Sequence, residues 1–214
     1  MDEIRLSEQF SLSRSPIREA LIRLSGEGLV QISPNRSAIV TPMDFGRMAE
    51  YLDALDLLQR VVTRLAASHR SEADLKEIIE AQKAYEESLV QTIASDDSLL
   101  MIEKNYEFHM AIARAGRNFY FSELYRRLLL EGQRMLHLHF EFEKVDVDFS
   151  AEKMSSDHAN IVAAIRNQDM DRAEYYAHKH AEQFKGRFMQ FLNRNYTNKI
   201  SLQYSGRPEL VTEE

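Results

Sequence analysis

Three histidines lie where helical periodicity would turn them toward one interior. The chain has seven histidines and no cysteine, which excludes disulfides, thiolate metal sites and cysteine nucleophiles. His109, His158 and His180 each fall on the apolar stripe of a different helical segment. If they converge, three imidazoles suit a divalent transition metal such as zinc or nickel, and Asn105, one turn before His109, adds an amide oxygen. Three independent core histidines, each satisfied by a neighbour, are the open alternative.

Cationic side chains on the segment 119–143 could bind an acidic ligand. Arg134 faces His137 and His139 on this segment, so Arg134 and His139 are candidates to hold the carboxylate of a small effector. An arginine that is simply solvated is the alternative.

A short helix near the start of the chain carries residues suited to DNA. Arg14 and Arg18 are four positions apart, so they share one face and can pair with guanine edges and phosphates in the major groove. Ser13 or Ser15 can cap this helix, and both can contact the DNA backbone. Pro16 is tolerated because first-turn amides have no partner within the helix. An amphipathic surface helix with solvated arginines is the alternative.

Two short β-prone runs follow that helix. "LVQIS" and "SAIVT" flank the turn-like "PNR", whose Asn35 and Arg36 can contact phosphate or the minor groove. Together with a short helix predicted at "RLSEQF", they give the order helix, turn, helix and hairpin, which is typical of a winged helix-turn-helix.

Composition and charge restrict the function further. Of 214 residues, 44% are hydrophobic and 29% are charged, as in a globular protein that buries a core. The net charge is −7, but residues 1–40 hold five arginines and five acids, so a DNA site belongs in that segment. No apolar run approaches the roughly 20 residues of a membrane span, and a cytoplasmic location is predicted. No HExxH, GxSxG, GxGxxG or P-loop motif supports an enzyme.

From about residue 44 to 196 the chain reads as helix throughout. Periodicity and helix-boundary signals predict an antiparallel bundle of six helices. The fold class is therefore mainly α, with a partial winged helix-turn-helix domain at 1–43, an all-helical domain at 44–196, and a flexible tail at 197–214. The six predicted helices span residues 44–69, 72–93, 96–115, 119–143, 151–167 and 169–195.

The segment from Leu6 to Val40, with its core "SRSPIREAL", resembles the winged helix of the GntR family of bacterial transcription regulators. The resemblance implies that Arg14 and Arg18 contact operator DNA and that the wing contacts it near Arg36. The family usually has glycine after the wing arginine. Ser37 stands there, and it would be strained if the turn needs a positive φ.

The family normally has one more helix before "LSEQF", packed beneath the recognition helix. Only five residues precede this motif, so the three-helix core is expected to be incomplete. A misassigned start, a trimmed chain and a weakly folded domain that leans on the bundle all stay open.

The helical region at 44–196 resembles the FCD domain of the FadR-type branch of that family, which implies that this region binds an effector and dimerises. The resemblance rests on "NYEFHMAIARAGRN" (105–118) and "DHANIVAAIRNQDMDRAEYYAHKH" (157–180). It implies a ligand cavity with a metal held by an Asp and three histidines, here His109, His158 and His180. Asn105 replaces the Asp, so affinity for the metal falls or a carboxylate effector completes the shell. Some members bind a fatty acyl-CoA and need no metal.

The sequence as a whole predicts a metabolite-responsive transcription regulator. Two copies would present their recognition helices to successive major grooves of a pseudo-palindromic operator. One alternative is a metal-containing, effector-binding protein whose truncated head does not bind DNA. A metal-dependent hydrolase is another, but it lacks a general base at a recognisable spacing.

Overall fold

The structure is a computed structural model that describes residues 2–33, 37–95, 98–143 and 151–193. The predicted tail at 197–214 and the turn residues Asn35 and Arg36 lie outside the described residues. The described elements are, in order, α1 (Glu3–Phe10), α2 (Arg14–Gly26), β1 (Val30–Ile32), β2 (Ala38–Val40), a 3₁₀ turn (Phe45–Arg47), α3 (Met48–His69), α4 (Glu72–Ser95), α5 (Leu99–Ala115), α6 (Phe119–Glu143), α7 (Ala151–Arg166) and α8 (Met170–Asn193).

The first two helices and the hairpin form a small unit with its own core. Asp2 caps α1 by accepting a hydrogen bond from the amide of Ile4 at 3.0 Å. β1 and β2 are antiparallel, and Val30 pairs with Val40. Four buried residues join α2 to the hairpin, and burial of each large apolar side chain contributes about 1.5–3 kcal/mol. They are Ile17, Leu21, Val30 and Ala38.

Two local features shape this winged unit. Gly28 ends the α2 turn with a φ of 77°, a conformation that side chains rarely adopt, and Leu29 then donates to the carbonyl of Leu24 at 2.9 Å. At the wing, the amide of Ser33 donates to the carbonyl of Ser37 at 2.9 Å. Ser37 does not have a positive φ, so the strain expected from the missing glycine does not arise at this residue.

The six long helices are confirmed, with small differences at their ends. The first begins as a 3₁₀ turn because Asp44 accepts from the amide of Gly46 at 3.0 Å, and the α-helix starts only at Met48. α4 continues two residues beyond its expected end, to Ser95, and α5 begins at Leu99. α4 packs on α5, α5 on α6 and α7 on α8, as in the antiparallel bundle expected from the sequence.

The bundle core consists of two main groups of buried side chains. One group joins α3, α4, α5, α7 and α8 around Phe108, Ile112 and Ile161. The other joins α3, α5, α6 and α8 around Tyr125 and Phe184. Within the part of the chain that the structure describes, no helix is both long and apolar enough to cross a membrane.

Helix α6 connects the bundle to the winged unit. Arg126 of α6 lies 3.7 Å from the carboxylate of Glu27, which follows α2. About two turns further along α6, the Arg134 guanidinium donates to the carbonyl oxygen of Thr41, just after β2. Met43 then packs against the bundle core. The linker between wing and bundle is therefore held against α6.

Candidate functional site

The structure brings the three predicted histidines together from three helices. His109 of α5, His158 of α7 and His180 of α8 each offer a ring nitrogen, and these atoms all lie within 4.8 Å of one another. The ring centroids are 5.2 Å apart for His109 and His158, 5.3 Å for His109 and His180, and 4.7 Å for His158 and His180. Convergence, rather than three separate core positions, is the arrangement in the fold.

Aromatic side chains fix the planes of these imidazoles. Phe108 stacks on His158 with centroids 4.2 Å apart, and Tyr85 lies 4.5 Å from the same ring. Tyr125 meets His109 edge-on at 6.3 Å. Because buried aromatic rings leave an imidazole little room to rotate, the ring nitrogens are held in place before any ligand binds.

Burial also determines the charge of the cluster. It lowers the pKa of His109 to about 4. Burial, followed by the charges of His180 and His109, holds the pKa of His158 well below its ordinary value. These two imidazoles are therefore neutral at neutral pH, which is the form that binds a metal ion.

The hydrogen bonding of His158 provides a test of whether a metal fits. His158 is fully buried, yet neither of its ring nitrogens has a hydrogen-bond partner among the residues that the structure describes. An unsatisfied buried polar group costs about 1–3 kcal/mol. A donor set of neutral imidazoles fits a divalent transition metal, and the lone pair of the acceptor nitrogen of His158 is not used by a hydrogen bond among the described residues.

A cavity of about 60 Å³ lies beside the cluster, and His109 and His180 form part of its wall. Asn105 lines the same cavity, one turn before His109, as the sequence predicts. The remaining wall is largely apolar and aromatic, and a space of this size accepts a small molecule of a few non-hydrogen atoms. Helix α6 contributes four wall residues, Leu129, Gly132, Gln133 and Leu136.

Gly132 permits a close contact in this wall. Tyr51 of α3 donates its hydroxyl to the carbonyl of Leu128 at 2.8 Å. A Cβ at position 132 would lie only 2.5 Å from that hydroxyl oxygen. The glycine therefore lets α3 and α6 approach each other at the edge of the cavity.

Arg134 does not line the cavity beside the histidines. It lies in a second, more open cavity of about 620 Å³, which it shares with Glu103 and His137. The two cavities have Ile102 and Gln133 as common wall residues. The effector role of Arg134 stays a prediction, now attached to this second cavity. The side chain of His139 lies outside the described residues.

Sequence reasoning missed several cavity residues. The wall from α6 follows the spacing i, i+3, i+4 and i+7, a pattern that marks one helix face and was available in the sequence. Asp157 also lines the cavity, and its place directly before His158 was the available signal. Tyr51 and Gln59, from α3, had no local signal because only tertiary packing brings α3 here.

The predicted DNA-contacting residues lie at the exposed start of α2. Ser13, Arg14, Ser15 and Pro16 are all exposed, and Ser13 occupies the cap position without a side-chain hydrogen bond to the helix. Arg18 is also exposed, but it is not free as the sequence alone suggested.

Arg18 forms a bidentate ion pair with Glu3 of α1. Its Nε donates to Oε1 at 3.2 Å and its Nη2 donates to Oε2 at 3.1 Å. This pair raises the pKa of Arg18, so the guanidinium is charged, and it links α1 to the recognition helix. Contact with DNA would require Arg18 to exchange this carboxylate for phosphate or base.

Comparison with known proteins places both regions in one family. The profile of the FCD domain matches residues 50–183, and the profile of the gntR family of bacterial regulatory proteins matches residues 2–40. The chain is 28% identical to the HTH-type transcriptional regulator LutR of Bacillus subtilis, over 79% of this chain and 81% of LutR. It is 25% identical to the Uxu operon transcriptional regulator of Escherichia coli, over 89% of this chain and 78% of that protein.

The fold has a close counterpart among solved structures. E. coli McbR/YncC superimposes with a TM-score of 0.73 at 20% identity, over 90% of this chain and 88% of that one. The prediction of a regulator and not an enzyme is confirmed by the family and by the relatives. The chain therefore belongs to the gntR family of bacterial transcription regulators, in the group whose second domain is an FCD effector domain.

Proposed function

We propose that this regulator binds a pseudo-palindromic operator as a homodimer and that a small organic acid in the histidine cavity sets its affinity for DNA. A divalent transition metal, zinc or nickel, assists by binding His109, His158 and His180, with Asn105 beside them. The observation that carries the proposal is the convergence of three buried imidazoles from three helices at one cavity.

The bound metal would supply a Lewis-acidic centre that attracts carboxylate oxygens. The other contributions to binding come from the chain's own residues. The imidazoles are held by Phe108 and Tyr85, so little reorganisation is needed for binding. The apolar wall excludes water, which strengthens electrostatic attraction to an acid. Asn105 offers an amide to a carboxylate or to the ion.

Coupling to DNA is supported by the position of α6. Gly132 and Gln133 of this helix line the cavity, while Arg126 and Arg134 of the same helix contact Glu27 and Thr41 of the winged unit. An effector that shifts α6 would therefore also shift the recognition helix relative to its dimer mate. Such a shift changes operator affinity only if the effector binds the two arrangements unequally.

The homodimer is supported by an exposed patch at the start of α6. Phe119 and Tyr120 are 73% and 78% exposed, and Phe121 and Leu124 are also on the surface. A contiguous group of large apolar side chains on the surface marks an interaction site. A second copy of this chain is the partner that a two-fold operator requires.

The test begins with selection of DNA sites from a random pool by the purified chain. We expect enrichment of a palindrome whose half-sites are about one helical turn apart. Its affinity, measured by fluorescence anisotropy, should change at least fivefold when zinc and a panel of small carboxylic acids are added. Enrichment of no sequence would reject the operator-binding proposal.

A variant can separate DNA binding from coupling. Arg126→Ala removes the contact of α6 with Glu27 while leaving α2, the histidines and the candidate effector residue Arg134 intact. We expect operator binding to persist and its response to effector to fall by at least half. An unchanged response would contradict the proposed route through α6. Lys83→Ala, an exposed cation of α4, is the matched control.

The ion pair between Arg18 and Glu3 favours a second candidate, an effector-binding protein whose head does not bind DNA. In that case the selection fails for the wild-type chain, while titration with zinc still shows binding at the histidine cavity.

A further inference from the structure

The donor set of the metal site carries no negative charge. Imidazole binds a metal ion as a neutral donor, and Asn105, which lines the same cavity, carries an amide. A divalent ion placed there would keep its full double charge within a largely apolar wall. Because an uncompensated charge in a low-dielectric interior is unfavourable, the site needs a counter-charge nearby.

We propose that Asp157 supplies this counter-charge, an inference that rests on the proposed metal site. Among the described residues that line the cavity, Asp157 is the one carboxylate. It directly precedes His158 on α7, and it is half-buried. The charge that an Asp at position 105 would have placed on α5 is thus provided from α7.

Asp157 acts from outside the direct ligand set. The group of ligand atoms that lie within 4.8 Å of one another comprises the three histidines and does not include Asp157. Its role would be to stabilise the charge of the ion across the cavity. Electrostatic attraction of this kind persists over several ångströms in a poorly solvated cavity.

A hydrogen bond holds the carboxylate beside the site. Gln183 of α8 donates from Nε2 to Oδ1 of Asp157 at 3.3 Å. Gln183 lies three residues after His180, on the same side of α8. The contact therefore joins the two helices that carry His158 and His180, and it restrains one oxygen of a carboxylate that lines the cavity.

The negative charge of Asp157 also affects how many carboxylates an effector needs to neutralise the site. With Asp157, a divalent ion leaves the site with one net positive charge, which a monocarboxylate neutralises. Without it, two positive charges remain, and one carboxylate is not enough. Asp157 therefore matches the site to acids that bring a single carboxylate to the ion.

Zinc titration of the full-length, chelator-treated chain tests the proposal. Zinc chloride alone is the probe, and its affinity is measured by competition with a chromophoric chelator. We expect Asp157→Asn, which keeps the size of the side chain, to weaken zinc binding tenfold to a hundredfold, the usual effect of removing a supporting outer-shell group. Asp171→Asn, at an exposed carboxylate of α8, is the matched control and should bind zinc as the wild type does.

A charge relocation makes the test specific. Asn105→Asp alone should bind zinc more tightly than the wild type. Asn105→Asp combined with Asp157→Asn should recover an affinity within about threefold of the wild type. Thermal unfolding without metal checks that each variant is folded.

Two results would overturn the proposal in different ways. Wild-type zinc binding with unchanged affinity in Asp157→Asn rejects the role of Asp157 and leaves the histidine site in place. No zinc binding by the wild-type chain rejects both the metal part of the proposed function and this inference.

Discussion

The winged unit and the bundle expose their functional side chains to opposite degrees. Arg14 and Arg18 lie on the surface, where an ion pair is worth about 0–1 kcal/mol because water screens it. His109 and His158 are buried, where desolvation fixes their charge state and an unmet hydrogen bond is expensive. The DNA face can therefore be adjusted by small changes, whereas the effector cavity responds strongly to a single lost group.

The largest expected effect is on metal binding by the buried histidines of the bundle. His109→Ala with His158→Ala removes two of the three proposed nitrogen ligands, so zinc affinity should fall by roughly a thousandfold or more. Elemental analysis of the purified protein measures the retained metal, and His178→Ala on α8, half-exposed and paired with Asp56, is the control. Equal metal content in the double variant and the wild type would refute the site.

The next effect concerns the stability of the metal-free protein as the pH falls. Burial lowers the pKa of His109 to about 4, from an ordinary value of 6.5. Below pH 6.5 the unfolded chain takes up a proton that the folded chain refuses, so the stability present above pH 6.5 is lost progressively toward pH 4. The loss from this group is roughly 3 kcal/mol.

Urea unfolding of the metal-free wild type and of His109→Gln, at several pH values between 7 and 4, measures this contribution. The variant should lose less stability than the wild type over that range. Parallel pH profiles would show that His109 does not titrate differently in the folded and unfolded chains.

In the winged unit, where the functional side chains are exposed, Arg14→Ala should weaken operator binding by about 1–3 kcal/mol, or roughly fivefold to more than a hundredfold. The reason is loss of a guanidinium contact at the start of α2. Fluorescence anisotropy at fixed salt gives the affinity, with the exposed Arg172→Ala of α8 as control. No loss of affinity in Arg14→Ala would contradict the assignment of α2 as the recognition helix.

The smallest effect should come from the carboxylate that holds Arg18. Glu3→Gln frees the guanidinium and removes a negative charge near the DNA, so operator affinity should rise about twofold to fivefold. Weaker binding instead would indicate that the ion pair positions α1 against α2, a role more important than competition with DNA.

The sequence predicted those site residues whose side-chain direction follows from the periodicity of a single helix. His109, His158 and His180 were found because each stands on an apolar stripe, and a stripe faces the core in any bundle. The pair of Arg18 and Glu3 could not be found this way, since it depends on the angle between two helices. The same is true of Arg134, whose contact with Thr41 depends on how the linker crosses α6.

The close approach of Tyr51 and Gly132 has a consequence for related sequences. A methyl group at position 132 would collide with the Tyr51 hydroxyl, but Phe at position 51 would leave room for it. Evolution can therefore exchange the pair Tyr and Gly for the pair Phe and Ala with little change in volume, and the two positions are expected to covary. Since both border the cavity, that exchange would alter the shape of the cavity while leaving the histidines and α2 unchanged, a route by which one scaffold comes to accept different small molecules.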